Sequence, residues 1–102
     1  MTWEDALAKV EERQAERRNT SETYAVKLHG ILAEHYRVEV LEARRGWAVR
    51  VDDPHDASLS ITLRCVVGER RAYWEWIALL PPVADADDFD SVLTFVRHWL
   101  GP

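Results

Sequence analysis

The strict alternation in "SLSITLRCVV", residues 58–67, is the feature that most constrains how this chain can fold. Apolar side chains occupy every second position, and mostly hydroxyl or charged side chains occupy the positions between them. Because successive side chains of a β-strand point to opposite faces, this segment places its main apolar groups on one face. One apolar face and one polar face are typical of an antiparallel sheet that is buried on one side only.

Three further segments carry strand signals, and with the first they predict a four-stranded antiparallel meander over residues 36–80. Short turns separate them, one at "RRG" and another that opens at Gly68. The segment "DPHDA" has the Pro and Asp chemistry of a loop. The three added strands are 36–43, 47–52 and 71–80.

A helix is predicted after the sheet, over residues 86–100, from "ADADDFDSVLTFVRHWLGP". Aspartates cluster at its start, where the positive end of the helix dipole favours them. Apolar residues then recur at helical spacing, and Gly101 ends the pattern.

The region before the sheet also has helical spacing, with Trp3, Leu7 and Val10 on one stripe and a second apolar stretch over residues 21–35. A polar run separates the two, and its "NTS" triplet is a strong N-cap signal. We therefore predict two helices or one bent helix. Residues 1–18 would be mobile or docked on a partner, and residues 21–35 would pack on the core.

One continuous helix is the alternative, because the same spacing continues through Gln14, Arg17 and Ser21. In either case residues 1–102 form a single domain, as expected from the length of the chain. The element order predicts an α+β fold, a two-layer sandwich with the helices covering one face of the sheet.

The "WEW" segment raises the question of whether the indoles of Trp74 and Trp76 face the core. A two-residue turn at "GE" would place Leu63 opposite Trp74, and a four-residue loop gives the same parity. A three-residue loop would instead turn Glu75 inward, and burying that carboxylate unpaired would cost several kcal/mol. We therefore predict that both indoles face the core.

Composition excludes several functional classes. The net charge of −5 disfavours general nucleic-acid binding, which needs a basic face. No apolar run approaches the roughly 20 residues that span a bilayer, and the acidic N-terminus is unlike a signal peptide. The single cysteine, Cys65, rules out an internal disulfide. We expect a soluble cytoplasmic protein with no nucleic-acid or membrane partner.

The sequence shows no arrangement that would support catalysis or metal binding. "DDPHD" is interpreted as a loop, and "DADDFD" as a helix cap that lacks the glycine and the final glutamate of a calcium loop. The four histidines have no zinc-ligand spacing, and Cys65 lies on an apolar strand face. We predict a protein that is not an enzyme and has no metal site and no cofactor.

The segments "RRGWAVRV" and "WEWIALLPPVADADDFDSVLTFVRHWL" resemble a pattern in small uncharacterised bacterial α+β proteins. In that group a W-x-W strand precedes a proline-bearing turn and an acidic-capped helix, and no activity is implied. The helix–sheet–helix order is also similar to the frataxin-like architecture, in which an acidic first helix binds iron. Here three arginines interrupt the acidic run of residues 11–22.

These observations favour a non-catalytic protein-interaction module, an adaptor or regulator that binds another protein or a second copy of itself. The predicted contact residues are Trp3, Leu7 and Val10 on the first helix, with Tyr73 and Ile77 on the outer face of the sheet. The first alternative is an acidic neutralising partner such as an immunity protein or antitoxin. The second alternative is a frataxin-like protein that binds a small ligand or a metal.

Overall fold

In the computed structural model, residues 2–44, 46–56, 58–76 and 82–101 are described. Over these residues the chain is α+β, with an N-terminal helix, an antiparallel sheet of five strands and a C-terminal helix. The α+β class predicted from the sequence is confirmed at this level. The elements are α1 (Trp3–Leu32), β1 (Arg37–Ala43), β2 (Gly46–Asp52), β3 (Ser60–Val67), β4 (Ala72–Trp76), β5 (Ala84–Asp85) and α2 (Phe89–Leu100).

The strands follow one another across the sheet in chain order, β1-β2-β3-β4-β5, and each neighbouring pair is antiparallel. The fifth strand, only two residues long, follows the four that the sequence predicts. One row of directly opposed residues, Val40, Val49, Leu63 and Trp76, crosses four strands on the same face. Val49 and Leu63 are fully buried. The alternation in β3 therefore gives the one-sided burial expected of it.

Both tryptophans of β4 lie on that buried face. Trp74 is directly opposite Cys65, and Trp76 is directly opposite Leu63. Trp74 is fully buried, and its indole N–H donates a hydrogen bond of 3.0 Å to the carbonyl of Ala86. The prediction that the indoles face the core is confirmed.

The loop between β3 and β4 has four residues, 68–71, closed by a 2.9 Å hydrogen bond from the amide of Gly68 to the carbonyl of Arg71. The register expected from a two-residue turn, with Leu63 opposite Trp74, is therefore wrong by two residues. The four-residue alternative is the one observed. Because a shift of two residues preserves the face of every side chain, the prediction for the indoles does not change.

Helix α1 is continuous from Trp3 to Leu32, so the predicted break into two helices, the second over residues 21–35, is wrong. The hydroxyls of the "NTS" region do not cap a new helix. Thr20 donates a 2.9 Å hydrogen bond to the carbonyl of Glu16, four residues back within the same helix. A hydroxyl that bonds backwards in this way is compatible with a helix interior. Helix α1 begins with a capping box, in which the side chains and amides of Thr2 and Asp5 bond reciprocally.

Ser21 joins α1 to two strands. Its side chain is buried, its hydroxyl donates a 2.9 Å hydrogen bond to the carbonyl of Cys65 in β3, and it accepts one of 2.9 Å from the amide of Trp47 in β2. Gly46 lies against it, where a Cβ atom would be 2.9 Å from the serine oxygen. Ser21, which the sequence pattern places in an N-cap, therefore makes a buried tertiary contact instead.

Helix α2 begins at Phe89, after an N-cap at Asp88, rather than at residue 86. The Asp88 carboxylate accepts hydrogen bonds from the amide of Ser91 at 3.2 Å and from its hydroxyl at 2.7 Å. At the other end, the Tyr36 hydroxyl donates a 2.7 Å hydrogen bond to the carbonyl of Gly101. The two helices contribute to one buried cluster through Ala25, Leu28, Leu32, Val92, Val96 and Leu100.

Replacing Ser21 with alanine is expected to lower the free energy of unfolding by about 1–3 kcal/mol, because it removes the bonds to the part-buried amide of Trp47 and the buried carbonyl of Cys65. Thr20→Ala is the matched control on the exposed side of the helix, with an expected change within about 0.5 kcal/mol. Urea denaturation followed by circular dichroism measures both. Equal losses in the two variants would contradict the role assigned to Ser21.

The two tryptophans of β4 are expected to differ in their contributions to stability. Trp74→Ala should lower the free energy of unfolding by about 3–5 kcal/mol, because it empties a fully buried site. Trp76 is only partly buried, against the rings of Phe95 and Trp99, so Trp76→Ala should cost less. Chemical denaturation of the two variants checks the order, and a larger loss for Trp76→Ala would refute it.

Candidate protein-interaction site

Helix α1 is longer than the sheet on which it packs. Its 30 residues extend over about 45 Å, and the longest dimension of the molecule is 56 Å against 22 and 21 Å for the others. Within the described part of the helix, Ser21 is the first residue whose side chain is buried. We call residues 2–16 the projecting segment.

Three large apolar side chains lie exposed along the projecting segment. Trp3 is 80% exposed, Leu7 is 46% exposed and Val10 is 48% exposed. Their spacing of four and then three residues places them on one side of the helix, and we call them the α1 stripe. The structure therefore brings together the three residues of α1 that the sequence predicts as partner contacts.

The α1 stripe lies on the same line of the helix as the residues that pack on the sheet. Residues 18 apart on an α-helix are separated by about five turns, or about 27 Å, with the same orientation. Ser21, Ala25 and Leu28, all buried, stand 18 residues after the members of the stripe. The stripe therefore faces the side on which the sheet lies, beyond the end of the sheet.

A corner is formed where the projecting segment leaves the sheet. Arg18 in α1 is paired with Glu42 in β1, and its guanidinium carbon lies 5.9 Å from the centre of the Trp47 ring. An open cleft of about 440 Å³ occupies the corner. It is lined by Arg13, Glu16, Arg17, Gly68 and Glu69. No local sequence signal marks this corner, because it depends on how far the sheet extends along the helix.

The charges of the projecting segment are arranged around the stripe. At 100° per residue, Glu4 and Glu11 lie along one side of it, and Arg13 lies along the other. Acidic side chains predominate over the whole segment, at positions 4, 5, 11, 12 and 16, against basic side chains at Lys9 and Arg13. The surface thus has an apolar centre with mainly acidic surroundings.

The other two predicted contact residues are not part of this surface. Tyr73 lies on the outer face of the sheet, opposite the face that α1 covers, and the guanidinium of Arg71 sits 5.0 Å from the centre of its ring. Ile77 lies outside the described residues. β4 is not an edge strand at Tyr73, because β5 pairs there through Asp85. Arg71 and Asp85 also form an ion pair of 3.0 Å beside it.

The outer face of the sheet carries paired charges. Glu75 lies directly opposite Arg64, and its carboxylate accepts a hydrogen bond of 3.0 Å from the Nε of that arginine. Arg50 bonds Asp52 at 3.1 Å on the same face. Glu75 and Arg64 pair across neighbouring strands and Arg50 and Asp52 pair along β2, so this face offers no cluster of free groups among the residues just named.

The "DDPHD" carboxylates are used by their own loop. Asp53 accepts hydrogen bonds from the amides of His55 at 2.7 Å and Asp56 at 3.2 Å. Asp56 in turn accepts bonds from the hydroxyl and the amide of Ser58, and both bonds lower the pKa of the Asp56 carboxyl. An open cleft of about 390 Å³ lies beside the loop. The cleft is lined by Arg37, Asp52, Asp53, Pro54 and His55.

Cys65 is fully buried, and burial raises the pKa of its thiol to about 11, although a hydrogen bond with Ser21 acts in the opposite direction. The thiol therefore stays protonated near neutral pH.

Over residues 2–44, 46–56, 58–76 and 82–101, no three His, Cys, Asp or Glu side chains are grouped so that they could hold a metal ion. Neither described helix combines the length and the apolar character needed to cross a membrane.

Three apolar residues that the sequence does not identify as exposed are also open to solvent. Val26 is 56% exposed, and Leu59 and Trp99 are each 49% exposed. Trp99 belongs to α2, and the centre of its ring lies 5.0 Å from that of Trp76. Unlike the α1 stripe, these three belong to separate elements and form no common line.

No protein-family model, curated protein or solved structure matches this chain.

The exposed and buried parts of the same helical line are expected to contribute differently to stability. Val10→Ala should change the free energy of unfolding by no more than about 0.5 kcal/mol, because the side chain is half in water in the folded state. Leu28→Ala, five turns along the same line, should cost about 2–5 kcal/mol because it leaves a buried cavity. Chemical denaturation at low protein concentration compares them. A large loss for Val10→Ala would show that the stripe is packed within the monomer.

Proposed function

We propose that this protein is a non-catalytic protein-interaction module that binds its partner through the α1 stripe. The observation that carries the proposal is the exposure of Trp3, Leu7 and Val10 on a helical segment that extends beyond the protein's own core. Side chains in this position contribute little to the stability of the monomer. Their apolar area becomes buried only when another surface covers them.

The form of the site supports this role. Apolar residues at i, i+4 and i+7 are the anchors by which an amphipathic helix binds in a groove or against another helix. Tryptophan is among the residues that most often dominate the energy of an interface, and Trp3 is the most exposed of the three. The capping box of Thr2 and Asp5 stabilises the first turn, so the helix is formed before it binds. A preformed segment loses less conformational entropy on association.

A non-catalytic role is supported by the way the acidic side chains are used. Asp53 and Asp56 hold their own loop, Asp88 caps α2 and Glu75 pairs with Arg64. The buried thiol of Cys65 has a raised pKa, and this disfavours the nucleophilic thiolate form.

The finer description of the fold belongs to the same proposal. We propose a two-layer sandwich in which both helices cover the apolar face of the sheet, supported by their shared buried cluster and by the Tyr36–Gly101 hydrogen bond. A cytoplasmic location is also proposed, and the reduced, buried state of the single cysteine is compatible with it.

Site-specific photo-crosslinking in cells tests the proposal. A photoreactive amino acid at position 7, within the α1 stripe, is expected to form a covalent adduct with the bound protein. The matched control places the same amino acid at position 26, because Val26 is also exposed on α1 but lies on the other side of the helix. Adduct formation that is absent at position 7, or equal at the two positions, would contradict the proposed site.

A further inference from the structure

We infer that the α1 stripe is one half of a short coiled coil, whose other half is an amphipathic helix of a different protein that is basic along the edge facing Glu4 and Glu11. This inference rests on the proposed function and names the chemistry of its partner. It follows from the spacing of the stripe, from the charges beside it and from the way in which two copies of this chain would have to pair.

The stripe has the spacing of a coiled-coil seam. Trp3, Leu7 and Val10 follow one another at intervals of four and three residues, and Gln14 continues the alternation. In a coiled coil each seam side chain fills a hole between four residues of the facing helix. All four side chains are exposed in the monomer, so a facing helix has to come from another molecule.

The positions beside the seam differ between its two edges. Glu4 and Glu11 are seven residues apart, so they lie about 10 Å from each other along one edge, which we call the acidic edge. The equivalent positions on the other edge hold Ala6 and Arg13. Charges at these flanking positions determine which helices pair in a coiled coil. The acidic edge is therefore complementary to lysine or arginine on the facing helix.

The acidic edge is not neutralised by the chain's own basic residues. Among the described residues, neither Glu4 nor Glu11 forms an ion pair, whereas Glu42 and Glu75 of the sheet each pair with an arginine. Residues 2–16 contain five acidic and two basic side chains, so this short segment contributes −3 to the total charge of −5. The negative charge is thus concentrated beside the stripe, where a basic partner would meet it.

A second copy of this chain is a poor partner for the stripe. In an antiparallel two-fold pair the acidic edges of the two copies would lie side by side, which brings Glu4 and Glu11 of one copy against those of the other. In a parallel pair the two sheets would occupy the same space, because the stripe lies on the line of Ser21, Ala25 and Leu28, which face the sheet. The facing helix therefore belongs to a different protein.

The sheet limits the length of the coiled coil. The seam extends about 17 Å from Trp3 to Gln14, and the sheet end begins at Arg17, whose guanidinium lies 3.9 Å from the carboxylate of Glu69. About three turns of a facing helix fit along this length. The interface is then smaller than that of a permanent complex, so binding should be reversible and sensitive to salt.

A matched pair of synthetic peptides tests the chemistry of the partner. The probe is a labelled, hydrocarbon-stapled helix with leucine at each seam position and lysine along one edge, and its control has glutamate in place of lysine. Fluorescence anisotropy with the full chain at low ionic strength should show about tenfold tighter binding of the lysine peptide, and added salt should reduce the difference. A third peptide that keeps the lysines but has glutamine in place of leucine should bind weakly, because the seam is also needed.

Variants locate the surface that binds the peptide. Reversing both charges, with Glu4→Lys and Glu11→Lys, should make the chain prefer the glutamate peptide. The matched control combines Glu34→Lys and Glu39→Lys, two exposed sites outside the projecting segment with the same change in net charge, and it should keep the preference for lysine. Leu7→Asp should weaken the binding of the lysine peptide. Circular dichroism verifies that every variant is folded.

The inference and the proposed function fail in different ways. No binding of the lysine peptide, equal binding of the two charged peptides, or a lysine preference that survives the reversal of Glu4 and Glu11 overturns the inference. The cellular crosslink from position 7 is expected on a helical segment that carries lysine or arginine. A crosslink to an acidic surface or to a second copy would overturn the inference and leave the proposed function standing, whereas no crosslink at all would remove both.

Discussion

The contact on which the rest of the structure depends is the buried hydroxyl of Ser21 against β2 and β3. It bonds one carbonyl and one amide of adjacent strands, and Gly46 leaves room for this close approach. Together with the packing of Ala25, Leu28 and Leu32 in the core, this two-bond contact fixes both the height and the rotation of α1 on the sheet. Rotation decides which line of the helix is buried, and height decides how much of the helix extends past the sheet.

The proposed interaction surface follows from that placement. Because the helix continues without a break through the polar run, the line that contacts the sheet reappears five turns earlier as the α1 stripe. The stripe is therefore not a random exposure of apolar residues, since it repeats the geometry by which the same helix already binds a sheet. The sharp change from buried to exposed occurs at Arg17 and Arg18, whose charges mark the end of the core.

Much of the fold can be predicted from local pattern because the pattern is strong. Alternation in β3 gives the buried face, and a parity argument places Trp74 inside without knowledge of the turn type, since two-residue and four-residue loops agree. The exact register could not be obtained in this way, because loop length depends on which residues close the hairpin. The two-residue strand β5 is too short to have a periodic signal of its own.

The helix break shows the limit of local reasoning. Asn, Thr and Ser before an apolar stretch predict an N-cap, and in isolation they favour one. In the folded chain the Ser21 hydroxyl bonds the carbonyl of Cys65 and the amide of Trp47 instead of capping a helix. Both partners are distant in sequence, so only the tertiary structure brings them to the serine. The grouping of the predicted contact residues fails for the same reason, because it depends on tertiary structure. Trp3, Leu7 and Val10 lie on the helix side of the sheet, whereas Tyr73 lies on its outer face.

The sequence by itself determined the α+β class, the buried face of the sheet, the inward indoles and the apolar spacing at the start of the chain. These properties depend on the spacing of apolar side chains within one helix or strand, and that spacing is present in the local sequence. Only the tertiary structure decided that the first helix is unbroken, that its N-terminal half extends past the sheet and that the stripe faces a corner. These properties depend on where separate helices and strands contact one another. The spacing of apolar residues within one element gives no information about those contacts.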